Sequence, residues 1–78
     1  MARVLLFGRL ADVAGWRERV IEGDRLGDIR VALADDLALA EALAGPGVQV
    51  AVDRVIVRGE AALAAGSEVA FMPPMSGG

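Results

Sequence analysis

The first residues alternate in a strand-like way. From Arg3 to Arg9 the even positions Val4 and Leu6 are apolar, and the odd positions carry Arg3, Leu5, Phe7 and Arg9. This predicts a strand over 3–9. Leu10 to Gly15 reads as a short turn or a single helical turn. Trp16 to Glu22 reads as a second strand, hairpinned to the first. Its faces stay unassigned, because Glu18 and Glu22 share one parity while Arg17 and Arg19 share the other. Beyond the turn at Gly23-Asp24, Asp28 stands as an N-cap before the set Ile29, Ala32, Leu33, so a helix is expected from there toward Asp35 or Asp36. The Ala- and Leu-rich run 37–44 predicts a second helical segment, stopped by Gly45-Pro46-Gly47. Val48 to Asp53 alternates again, and Asp53-Arg54 turns the chain into Val55-Ile56-Val57. Gly59 to Gly66 is a loop with Leu63 as its core anchor. Glu68 to Met72 is the last strand, ended by Pro73-Pro74, which cannot donate to a ladder.

The order β-β-α(α)-β-β-β in one short chain points to an α+β fold, a single sheet with helix on one face. The other face is then left to solvent, and strand parity says what it carries. Arg3 and Arg9 mark the odd side of the first strand as outward, which takes Leu5 and Phe7 with it. Glu68 marks the even side of the last strand, exposing Met72 and burying Val69 and Phe71. Arg58 marks the even side of the fourth, exposing Ile56. An apolar patch of Leu5, Phe7, Ile56 and Met72 with a charged rim has the anatomy of a partner site. Trp16 is read either as a hairpin core residue or as a contact residue.

Composition narrows the chemistry. The chain has 78 residues, 55% of them hydrophobic, which fits one folded domain and leaves no room for a second. It has no Cys and no His, so neither a disulfide framework nor a zinc site is expected. It also lacks Lys, Tyr, Thr and Asn: all eight basic residues are Arg, and the only hydroxyls are Ser67 and Ser76. No activated nucleophile beside a base can be assembled from this inventory, so the chain is not expected to be catalytic alone. The pI near 4.7 speaks against nucleic acid and for a partner that is basic where the two meet. No apolar run reaches the ~20 residues of a membrane span, and the start has too short an apolar run for a signal peptide. A soluble cytoplasmic protein without membrane contact is the expectation.

The end of the chain is Pro73-Pro74-Met75-Ser76-Gly77-Gly78. At about 7% Gly per position, a terminal Gly-Gly arises by chance in roughly one chain in 200. A chemical reading is that the reactive group is the α-carboxylate of Gly78. Two residues without Cβ let a backbone enter a narrow channel. The proline pair makes a stiff stalk, and six residues from Pro73 reach at most roughly 20 Å. Residues 73–78 are therefore expected to be a mobile tail that enters another protein while the apolar face docks outside it. Without Lys, an activated terminus is not captured by lysines of its own kind.

Two blocks carry a family resemblance. The opening Val4-Leu5-Leu6-Phe7-Gly8-Arg9-Leu10 and the closing Gly66-Ser67-Glu68-Val69-Ala70-Phe71-Met72-Pro73-Pro74-Met75-Ser76-Gly77-Gly78 resemble the small subunit of molybdopterin synthase. The closing block is the more specific. Met72 departs from the pattern, standing where an aromatic is common, and Asp53 stands where Asn often sits in the turn. The resemblance implies the ubiquitin-like β-grasp fold over 1–78, a mixed sheet with helix packed on one face. It implies that a ubiquitin-activating-like enzyme uses ATP to adenylate Gly78, with Gly77 leading to it, and that sulfur transfer leaves a thiocarboxylate there. The tail would then enter the large synthase subunit, in a heterotetramer, and donate sulfur to cyclic pyranopterin monophosphate in molybdenum cofactor biosynthesis. Phe7, Ile56 and Met72 fall at interface positions of the family; Leu5, placed outward by parity, and Pro73, Pro74, Met75 and Ser76 of the tail are the further expected contacts. No cofactor or metal of the chain's own is implied. The same fold and ending would serve a thiamine sulfur carrier, a carrier for cysteine synthesis, a tRNA-thiolation modifier or a ubiquitin-like protein tag. A plain interaction module with an inert end would share them too.

Overall fold

The computed structural model describes residues 1–74; Met75, Ser76, Gly77 and Gly78, the outer part of the expected mobile tail, lie outside the described residues. Strand β1 (Ala2–Leu6) buries Ala2, Val4 and Leu6 and turns Arg3 and Leu5 to the other side. It ends earlier than the alternation suggested. Gly8, at φ 56° and ψ −134°, breaks the extended chain, and helix α1 (Arg9–Ala14) begins behind it. That short helix buries Leu10 and Ala11 and closes on Gly15 at φ 82°. Strand β2 (Glu18–Ile21) returns antiparallel to β1.

Helix α2 (Leu26–Leu33) starts at Arg25, three residues before the expected cap. Asp28 does serve the helix start, but from inside the first turn: its Oδ2 accepts from the backbone N–H of Asp24 (3.0 Å) and of Arg25 (3.2 Å). A carboxylate there satisfies donors ahead of the helix and lies near the positive end of its dipole, so the same residue type serves either position. Glu60 reaches the same turn from the long loop, accepting from Gly27 N–H at 2.9 Å and Ala61 N–H at 3.0 Å. Both bonds favour its ionised form and hold its carboxyl below the usual range. Helix α3 (Leu37–Leu43) is capped by Asp36, whose Oδ1 accepts from Leu39 N–H at 3.1 Å.

Strands β3 (Gln49–Val52) and β4 (Val55–Val57) are joined by Asp53 and Arg54, both in the left-handed region, at φ 49° and 70°. A two-residue hairpin requires this conformation, which Asp tolerates better than most residues. Asp53 is also tied down. Its Oδ1 accepts from Glu68 N–H at 2.9 Å and its Oδ2 from Ser67 Oγ at 3.0 Å. Strand β5 (Glu68–Met72) is the last.

The five strands form one sheet in the order β2-β1-β5-β3-β4. Only β1 and β5 run parallel, side by side at its centre. The helices cover one face, where Leu10, Leu26, Ile29, Leu33, Leu39 and Leu43 meet Val4, Leu6, Val50, Val69 and Phe71. Leu63, half-buried, packs on this core, as expected of the loop's anchor. The mixed sheet with one-sided helix cover is the β-grasp arrangement.

The faces of β2, unassigned from sequence, follow from its register. Val4 pairs with Arg19 and Ala2 with Ile21, so Arg19 and Ile21 lie on the helix side and Glu18 and Val20 on the open side. The alternation is blurred because β2 is an edge strand: Glu18, Arg19 and Val20 are all exposed. Trp16 is half-buried against the edge of the core, with the Arg19 guanidinium 4.4 Å from its ring centroid. That stacking explains how a charged residue occupies the helix side.

Candidate functional site

The strand registers assemble the helix-free face row by row. Directly paired residues point to the same side, so Leu5 opposite Ala70, Ala70 opposite Ala51, and Ala51 opposite Ile56 form one apolar row across four strands. Glu18, paired with Leu5, ends the row on β2. In the next row Met72 pairs with Gln49. Phe7 N–H donates to the carbonyl of Phe71 at 3.1 Å, extending the β1–β5 ladder and setting Phe7 beside Met72. On the opposite flank Arg3 pairs with Glu68. The Arg3 Nη2–Glu68 Oε1 distance is 2.8 Å, and its Nε lies 3.8 Å from Glu18 Oε2.

The four residues expected on this face do lie on it, with unequal exposure. Phe7 is 47% exposed and Ile56 46%. Leu5 and Met72, expected to be exposed, are half-buried. Both sit inside the sheet with neighbours on two sides, whereas Phe7 lies past the end of β1 and Ile56 on an edge strand. Sequence reasoning passed over the floor of the patch. Ala70 and Ala51 are buried at 6% and 7% without any helix above them, because larger neighbours flank them. Ala70 shares the parity of Met72, so the signal was present. Two small side chains, Ala70 and Ala51, thus stand at the centre of the face with the larger Leu5 and Ile56 on either side of them in the same row.

The chain leaves the sheet at the same corner. β5 lies between β1 and β3, and its last residue, Met72, is in the row of Phe7. Pro73 and Pro74 follow at once, the first half-buried and the second exposed. The expected site residues fall into two groups as far as they are described: Leu5, Phe7, Ile56 and Met72 share the helix-free face, whereas Pro73 and Pro74, which follow Met72 directly, line a hollow with Leu10, Ala42, Pro46 and Val48 on the α1 and α3 side. Gly78, Gly77, Ser76 and Met75 lie outside the described residues.

Among the described residues no group of His, Cys, Asp or Glu is placed to hold a metal ion. No helix among them is long and apolar enough to cross a membrane.

Comparison with known proteins gives a consistent setting. The ThiS family profile matches residues 4–78. No curated protein matches the sequence. The crystal structure of SAMP1 from Haloferax volcanii shares 33% identity at a TM-score of 0.80, covering 99% of this chain and 98% of that one. CysO of Mycobacterium tuberculosis, 22% identical, has a TM-score of 0.80 over 96% of this chain and 100% of its own. A Helicobacter pylori structure is described as the protein–protein complex of subunits 1 and 2 of molybdopterin-converting factor. It matches at 20% identity and a TM-score of 0.77, covering 99% of this chain and 97% of that one. The last two likenesses establish the shared fold.

Proposed function

The chain belongs to the ThiS family, and from that premise we propose that it is the sulfur-carrying small subunit of a molybdopterin synthase, working through the carboxyl carbon of Gly78. The observation that carries this reading is the placement of the exit: β5 leaves the centre of the sheet beside Phe7 and Met72, at the edge of the apolar face. A partner docked on that face meets the end of the chain without any rearrangement of the domain. The closing block from Gly66 to Gly78 and the Helicobacter pylori complex support the molybdopterin assignment.

The chemistry follows from a carboxylate that is inert as it stands. An adenylating partner binds ATP, the terminal carboxylate oxygen attacks the α-phosphorus, and pyrophosphate leaves. A hydrosulfide equivalent then attacks the acyl carbon and AMP departs, leaving a thiocarboxylate. Gly77 and Gly78 keep the last backbone slim enough for a narrow channel. Met75 and Ser76 span the distance from the proline pair to that channel. In the large subunit, within a heterotetramer, the thiocarboxylate gives its sulfur to cyclic pyranopterin monophosphate. ATP belongs to the activating partner, and the chain needs no cofactor of its own.

Phe7→Arg tests the docking face. A charge in place of the most exposed ring of the apolar face, beside the exit of the chain, is expected to cost about 2 kcal/mol of binding to the large subunit, roughly 30-fold in Kd. The melting temperature should hardly move, because the Phe7 side chain is already 47% exposed. Titration calorimetry and a melting curve on the same preparation decide it. Loss of the fold would refute the assignment of the face.

A second reading has its own support: the 33% identity to SAMP1, a small archaeal modifier protein. In a protein tag the same activated terminus is attacked by a lysine amine of a target. Pull-down from host cells separates the two, since the carrier brings down a large synthase subunit and the tag leaves lysine-linked adducts.

A further inference from the structure

Five described glycines stand at positive φ: Gly8, Gly15, Gly47, Gly59 and Gly66. Three of them are ordinary turn residues, with nothing within 4 Å of where a Cβ would sit. The other two face the root of the tail. A Cβ on Gly8 would lie 3.0 Å from Pro73 Cγ, and one on Gly47 would lie 2.7 Å from Pro74 Cβ. The topology explains the coincidence. β5 runs between β1 and β3, so as it leaves the sheet it passes between the end of β1, where Gly8 follows, and the start of β3, which Gly47 precedes. Each neighbour presents a residue without a side chain to one proline ring. At both positions the left-handed backbone favours glycine; at Gly47 the 2.7 Å approach excludes a side chain as well, and at Gly8 the 3.0 Å approach leaves room for one only by shifting the Pro73 ring a few tenths of an ångström.

We propose that Gly8 and Gly47 are positioning residues that seat Pro73 and Pro74 between them and so set the direction in which the C-terminal residues leave the domain. This rests on the function proposed above, in which the terminal carboxyl must reach a partner's reaction centre. Four residues follow Pro74, at most roughly 13 Å of chain, so a 30° change at the root moves the end by roughly 7 Å. Reacting atoms must come within about 3–3.5 Å of each other. A tail sent the wrong way must be bent back by the partner, at a cost in ordering that a pre-set direction avoids. Proline, with φ fixed, transmits the direction of its seat to the residues after it.

The test uses the full chain, ATP and the adenylating enzyme captured from host extract on the tagged protein, with pyrophosphate exchange as readout. Two variants disturb the seat in opposite ways: Gly47→Ala pushes Pro74 off, and Pro74→Gly removes the ring while leaving the glycine loop intact. Both are expected to lower kcat at saturating carrier about 10-fold. The Kd of the enzyme for the chain, set by the sheet face, should stay within twofold. Gly47→Ala should also melt lower, whereas Pro74→Gly, at an exposed position, should melt like the wild type. If both folded variants exchange pyrophosphate within twofold of wild type, the seat has no positioning role. If only Gly47→Ala is slow, the loss belongs to its strained backbone and the proposal fails equally. A wild-type chain that shows no exchange overturns the proposed function and takes the seat's role with it.

Discussion

Removing Gly77 and Gly78 is expected to abolish adenylation and sulfur transfer while shifting the melting temperature by no more than about 1 °C. On the proposed function the reacting atom is the carboxyl carbon of Gly78, whereas the core cluster among the described residues runs from Ala2 to Phe71. A domain of this size shifts by about 4–8 °C per kcal/mol, so even a few tenths of a kcal/mol would be visible in a melt. The shortened chain would still end in a carboxylate, that of Ser76, but two residues, roughly 7 Å, short of its present reach. Its side chain would also have to pass a channel that accepts glycine. Pyrophosphate exchange and a melting curve of the two chains side by side check both halves. Residual transfer above about one part in a hundred would mean that the terminus is not the reacting group. A drop of several degrees would mean that the fold leans on its last two residues.

Phe71→Ala is expected to have the largest effect on stability, about 3–5 kcal/mol. Phe71 is fully buried at the centre of the sheet, on the strand that pairs with both β1 and β3. The Arg30 guanidinium lies 5.5 Å from its ring centroid, at the edge of the core. A chain of 78 residues commands only about 4–12 kcal/mol in total at typical per-residue stability. The variant should therefore sit near its unfolding threshold at room temperature, melting at least about 12 °C lower than wild type. Urea titration followed by circular dichroism measures it, and a loss below about 1 kcal/mol would contradict the packing. The chain has two phenylalanines, and they divide the work. Replacing Phe71 should bring the domain to the edge of unfolding, whereas replacing Phe7 should leave it folded and weaken its hold on the partner.

How much of this was legible beforehand depended on whether a charge marked the side of each strand. Arg3 and Glu68 did so for β1 and β5, and the outward placement of Leu5, Phe7 and Met72 followed from them. On β2 the alternation failed, because an edge strand is solvated on both sides and Arg19 can occupy the helix side by stacking on Trp16. Asp28 is a poor marker of where α2 starts because the same residue type serves two positions: at the cap it accepts from donors inside the first turn, and within that turn it accepts from donors ahead of the helix, as here. Exposure was overestimated at Leu5 and Met72 because parity gives direction and not neighbours. The glycine seat had no local signal. Gly8 and Pro73 are brought together only by the parallel pairing of the first and last strands, and Gly47 and Pro74 only by the antiparallel pairing beside it. A composition with many glycines hides which two matter.

The most direct test of the central claim is the intact mass of the chain isolated from its own host. A working sulfur carrier should yield a species about 16 Da heavier than the encoded polypeptide, the exchange of one oxygen for sulfur, with the gain confined to the C-terminal fragment ending in Gly78 and removed by hydrolysis of the thioacid, which the equal nominal gain of a sulfoxide at Met72 or Met75 survives. A chain found only at its encoded mass, in cells actively making the cofactor, would contradict the assignment of the last carboxyl carbon as the working atom.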